Sequence, residues 1–131
     1  MKRSFVAMGS VLTLLFGIAL PALSFAQGPT VINVLTINAN GDQPGLLDIV
    51  KRVRTINERL GNKATSRVWQ ATLAGEGTNA IFIAIEHSSL VSMAQDNAKL
   101  QADAEWQKLV DEFAKKGMSV LSNSVSVEIT P

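Results

Sequence analysis

Residues 79–90 read N-A-I-F-I-A-I-E-H-S-S-L, and the fold turns on how this stretch is taken. Branched and aromatic side chains at this density predict a strand. Ile81, Ile83 and Ile85 then fall on one side, with Ala80, Phe82 and Ala84 on the other. Both sides are apolar, so each needs a cover. The run ends at Glu86-His87, where Ser88-Ser89 can open a helix.

Upstream, residues 65–74 form a second strand-like run, joined to the first by Gly75-Glu76-Gly77-Thr78. Two strands on so short a polar link predict an antiparallel hairpin. The Gly-x-Gly invites a phosphate-loop reading, but that needs a helix whose N-terminus faces the anion, and here a strand follows. Further back, Leu46, Ile49, Val50, Val53, Ile56 and Leu60 recur at helical spacing, and Gly61 sits where a left-handed cap belongs. Residues 31–39 (V-I-N-V-L-T-I-N-A) predict another strand, with Val31, Leu35 and Ile37 on one side and Ile32 and Val34 on the other.

Downstream, 90–101 is alanine-rich and free of Pro and Gly, and Asp103 can cap a second segment. There Trp106, Leu109, Val110 and Phe113 form an apolar stripe, with Trp106 expected in the core. Gly117 stops this helix. Residues 118–129 then predict a last strand, with Leu121, Val125, Val127 and Ile129 opposite Ser122, Ser124, Ser126 and Glu128. The order β-α-β-β-α-β, with its second helical region split, predicts an α+β, ferredoxin-like fold: one antiparallel sheet with helices on one face. The other face, apolar on at least two strands, is then expected to be an association surface, most simply for a second copy.

The N-terminus stands apart from this domain. Lys2 and Arg3 precede 16 uncharged residues, 5–20; Pro21 ends the run, and Ser24-Phe25-Ala26 suits cleavage after Ala26. The run is short against the roughly 18–20 residues that span a bilayer. Residues 1–26 therefore read as a signal peptide and 27–131 as one domain, periplasmic or secreted, without stable membrane insertion after cleavage. Loss of Lys2 and Arg3 leaves 10 basic and 11 acidic residues, which gives no general attraction for nucleic acid. The chain has no cysteine, which excludes disulfides, thiol chemistry and cysteine-based metal sites.

Over residues 31–129 the chain resembles the dimeric α+β barrel superfamily, which includes antibiotic-biosynthesis-type monooxygenases, NIPSNAP and EthD-like proteins. The resemblance rests on strand order, the hairpin, and the passage from Ser88-Ser89-Leu90 through Asp103-Ala104-Glu105-Trp106-Gln107-Lys108-Leu109. It implies a homodimer with sheets packed face to face, and a cavity between the sheets or between each sheet and its helices. Fold alone does not select among the activities such cavities host.

Few residues offer chemistry. His87, the only histidine, is a candidate general base, with a surface position at an element boundary as the plainer reading. Arg67 and Trp69 share a strand face and suit a flat ligand, although a tryptophan on a sheet is more often packing. Asn33 and Asn38 lie on opposite faces of the first strand; a buried amide there must find a partner or face a wet pocket. Phe82 and Glu86 complete the candidate ligand-binding set. Ser122, Ser124 and Ser126 are expected to face solvent. The basic side chains Lys51, Arg52, Arg54 and Arg59 read as a solvated helix face broken by Asp48 and Glu58.

Haem-degrading members of the superfamily use a first-strand asparagine, a tryptophan ending the third strand and a histidine on the next helix. Here the third strand ends Ile85-Glu86-His87 and the helix beyond has no histidine, so haem breakdown is not supported. The leading expectation is an exported homodimer that binds a small, largely apolar ligand with no metal and no cofactor. The alternatives are a cofactor-independent monooxygenase or isomerase using His87, Arg67, Trp69 and an asparagine, and a structural or stress-related adaptor.

Overall fold

The computed structural model describes residues 28–72, 75 and 80–129. The expected signal peptide, residues 1–26, and most of the expected hairpin turn lie outside the described residues. The elements follow in the expected order: β1 (Val31–Asn38), α1 (Gln43–Arg59), β2 (Thr65–Gln70), β3 (Ile81–His87), α2 (Leu90–Gln101), α3 (Ala104–Lys115) and β4 (Ser119–Val127). The strands form one antiparallel sheet in the order β2-β3-β1-β4. This is the α+β arrangement read from the sequence. Beyond β2, the Ala71 N–H donates to the Ala80 carbonyl at 2.9 Å and carries the hairpin ladder one step further.

Local chemistry sets the helix boundaries. Asp42 caps α1 by accepting from the Gly45 N–H at 2.9 Å, and Pro44 sits in the first turn, where no N–H is needed. Ser89 caps α2 through the Ser92 N–H, and Asp103 caps α3 through the Trp106 N–H, each at 3.0 Å. Gly117 ends α3 with φ 72°, a conformation that costs glycine nothing. Gly45 matters for a different reason: a Cβ there would collide with the Asp42 carboxylate that caps the helix. Gly45→Ala is expected to lose the cap and destabilise the domain by about 1 kcal/mol, read from urea unfolding. An unchanged midpoint would show that the cap adds nothing.

The core lies between the sheet and the helices. Ile37, Ile81 and Ile83 from the sheet pack with Leu46, Ile49 and Val50 of α1, Phe113 of α3, and Met118. Arg52 of α1 donates to Glu112 of α3 at 2.7 Å, and Arg59 to Asp103 at 2.8 Å. Arg54 donates to the hydroxyl and carbonyl of Ser66. The three arginines of α1 are thus spent on neighbours, in keeping with a solvated structural face rather than an anion site.

The opposite face of the sheet carries no helix. Register places its side chains in rows: Trp69, Phe82, Thr36, Ser122; then Arg67, Ala84, Val34, Ser124; then Thr65, Glu86, Ile32, Ser126. The middle of this face is apolar and its β4 edge is a hydroxyl strip, with Ser122 donating to Thr36 at 2.8 Å. Ile32 is 40% exposed and Trp69 50% exposed in the single chain. One expectation changes. The β1–β4 register shifts between Thr36 and Ile37, opposite Ser122 and Val120. Leu121 is the extra residue, and it leaves the alternation it was expected to share with Val125 and Val127.

Candidate functional site

The helix-facing side of the sheet is graded. Along β1 and β3 it runs from Ile37 and Ile81 at one end, through Leu35, Ile83 and Ile85, to Asn33 and His87 at the other. Between this side and the helices lies a cavity of about 380 Å³. That is within the ~300–1,000 Å³ of small-molecule pockets and larger than ordinary packing voids. Leu35, Ile85, Val53, Leu100, Leu109 and Val110 supply much of its apolar wall. Exposed Arg54, Glu58 and Thr65 mark where the lining reaches the surface.

Its polar end is built from three elements. His87 ends β3, Asn33 comes from β1, and Asp96 reaches in from α2; they are 5%, 4% and 6% exposed. Val31 pairs with His87 and Asn33 with Ile85, so Asn33 and His87 are diagonal neighbours on one sheet face. His87 Nδ1 lies 3.5 Å from Asp96 Oδ2, longer than a full hydrogen bond, and neither atom has a closer partner. Asn33 Oδ1 is also buried without a partner. Beside them, Asn62 Nδ2 donates to Asn57 Oδ1 at 2.7 Å and weakly to the Asp96 carbonyl at 3.4 Å. Native interiors rarely leave so many polar atoms unpaired, and such groups mark wet or ligand-facing surfaces.

Burial pushes the His87 imidazole below its ordinary value of 6.5, and the Asp96 carboxylate pulls it upward without overcoming the burial. His87 is therefore neutral at pH 7. In the unfolded chain it protonates near pH 6.5, whereas in the fold it resists until lower pH. The unfolded state thus binds more protons in that window, and stability falls as pH drops from about 6.5 toward the folded value. His87→Gln is expected to flatten this limb, measured by urea unfolding between about pH 7.5 and 5. Asp42, Asp103 and Glu112, whose carboxyls hydrogen bonds hold below their usual range, act only in a more acidic window. An identical acid limb in wild type and variant would remove His87 from this account.

The residues singled out from the sequence divide between the two faces. His87 and Asn33 meet in the cavity. Arg67, Trp69, Phe82, Glu86 and Asn38 belong to the open face, so they do not share a site with His87. Trp106, expected in the core, is half-buried and lines the cavity instead. Sequence reasoning missed Asp96 and Asn62. Asp96 left a signal: Met93, Asp96 and Leu100 are spaced as one helical stripe, and an acid there is out of place. Asn62 left none. Among the described residues no cluster of His, Asp or Glu could hold a metal ion, and no helix is long and apolar enough to cross a membrane.

No family model matches the chain, and no curated protein matches it. Solved structures do. A crystal structure described as a NIPSNAP family protein from Agrobacterium tumefaciens superposes with a TM-score of 0.56 at 15% identity. The match covers 79% of this chain and 87% of that one. The X-ray structure of protein Atu4242 from Agrobacterium tumefaciens gives 0.55 at 18% identity, covering 78% and 92%. At these identities the likeness concerns the α+β fold, and the fold it shows is the one that the sequence resemblance implied.

Proposed function

We propose that the mature protein is an exported homodimer that shelters a small, largely apolar molecule in the cavity between its sheet and helices. The observation that carries this reading is the cavity: aliphatic walls closed at one end by buried polar side chains, of which Asn33 Oδ1, Asn62 Oδ1, His87 Nδ1 and Asp96 Oδ2 have no hydrogen-bond partner. Such a pocket gives an apolar body somewhere dry and gives one polar group on the ligand a fixed contact. Dimerisation is supported by the open face, where Ile32, Val34, Phe82, Ala84 and Trp69 form a patch that a second sheet would cover. Export is supported by Lys2 and Arg3, the apolar run after them and the Ser24-Phe25-Ala26 site.

The test is solvent extraction of the protein purified from its exported fraction, followed by mass spectrometry. A small molecule recovered in constant ratio to protein is the expected result. A cavity that is empty in every preparation, and takes up no apolar probe, favours an adaptor acting through the sheet face.

A further inference from the structure

A pocket that only shelters an apolar body gains nothing from a buried imidazole beside a buried carboxylate, because both are costly to desolvate. In this cavity the two face each other at 3.5 Å, and neither has a nearer partner. An Asp96 carboxylate facing Nδ1 keeps the proton of a neutral His87 on that nitrogen. The lone pair of Nε2 is then left for a ligand. Asn33, diagonal to His87 on the same sheet face, has its amide Oδ1 buried and unpaired, and a half-turn of the amide puts the Nδ2 donor in its place, where it can meet a ligand oxygen.

Resting on the binding reading above, we propose that this cavity catalyses proton transfer on a small carbonyl compound with an acidic C–H beside its C=O. His87 is the catalytic base, Asn33 donates to the carbonyl oxygen, and Asp96 is a positioning residue. In the step, Nε2 takes the proton and the C–H electron pair becomes the C=C bond of an enolate. The carbonyl π pair moves to oxygen, which accepts the Asn33 amide N–H. The imidazolium then returns the proton to the same carbon or, in a conjugated substrate, to a carbon further along, which gives an isomer. Nothing is oxidised or reduced, and no co-reactant is consumed. The other charged groups lining the cavity are Arg54 and Glu58, both on α1; α3 and the sheet contribute none.

2-Tetralone, a compact bicyclic ketone with enolisable hydrogens, is a suitable probe. Its hydrogen exchange in D₂O is followed by proton NMR with the full mature protein, and saturation-transfer spectra of the same samples report occupancy. Wild type should accelerate exchange by at least about 100-fold over buffer containing equal imidazole. His87→Gln should return the rate to that of buffer. Asp96→Asn should slow it and move the acid limb of the pH profile to lower pH, because the carboxylate raises the proton affinity of the imidazole. A merely structural role for Asp96 would lower the rate evenly at all pH. Occupancy without acceleration overturns proton transfer and leaves the binding reading standing; neither occupancy nor acceleration overturns both. Full activity in His87→Gln overturns the assignment of the base. If that variant does not fold, the wild-type profile decides: a rate with no inflection below about pH 6.5 overturns the proposal.

Discussion

Ile32→Asp combined with Trp69→Asp is expected to turn the proposed dimer, at micromolar concentration, into a monomer that remains folded. Both side chains are substantially exposed in the single chain, at 40% and 50%, so their loss costs the isolated domain little. In a sheet-to-sheet dimer the same positions sit under the partner. Trp69 stands on the edge strand β2, and a tryptophan anchor truncated within an interface commonly costs about 2 kcal/mol or more. Two-fold symmetry counts each change twice. Losing two such anchors alone, at roughly 4 kcal/mol, weakens association by about a thousandfold. The unpaired carboxylates trapped in the interface add to that. Light scattering coupled to size exclusion reads the result, with circular dichroism to confirm the fold. A wild-type protein that is already monomeric at micromolar concentration removes the sheet-face dimer.

Ile85→Trp carries the other large effect. Ile85 is half-buried, lines the cavity and pairs with Asn33 across β1–β3. A tryptophan there grows into the space next to the polar end. The change distinguishes a ligand site from a flaw in packing. Filling a mere void should improve contacts and raise stability, with nothing else altered. Filling a binding site should expel the ligand. Uptake of 2-tetralone is expected to weaken by at least about 100-fold, since an occupied pocket excludes its ligand sterically rather than by a weakened contact. Overpacking against fixed neighbours offsets part of any stability gain, by about 1–3 kcal/mol. Undiminished uptake in the variant would place the ligand elsewhere, and the open sheet face would become the next surface to test.

The elements were legible because each is punctuated by local chemistry. Ser89 and Asp103 cap the helices that their positions predicted, Asp42 caps α1 from what read only as a loop, and the positive φ of Gly61 and Gly117 lies where the spacing placed a stop. Alternation along residues 79–87 gave the strand and the apolar character of both its sides. Half of the site was also visible. Asn33 and His87 stood out because an amide in a strand and a lone histidine at a boundary are conspicuous. Their joint position was not visible, because either face of a strand can be the inner one until its neighbours are in register. Arg67 and Trp69 illustrate the consequence. They were grouped with His87 as candidate chemistry, and β2–β3 pairing sends them to the opposite face.

By itself, the chain determines that it is free of cysteine and that its strands and helices follow in a fixed order. Capping, turn and periodicity signals act over a few residues and need no partner to operate. Only the tertiary structure decided that His87 meets Asp96, and that the cavity lies under the helices with the apolar patch behind it. Those relations join residues from β1, β3 and α2, whose approach is set by packing and ladder register rather than by any local preference.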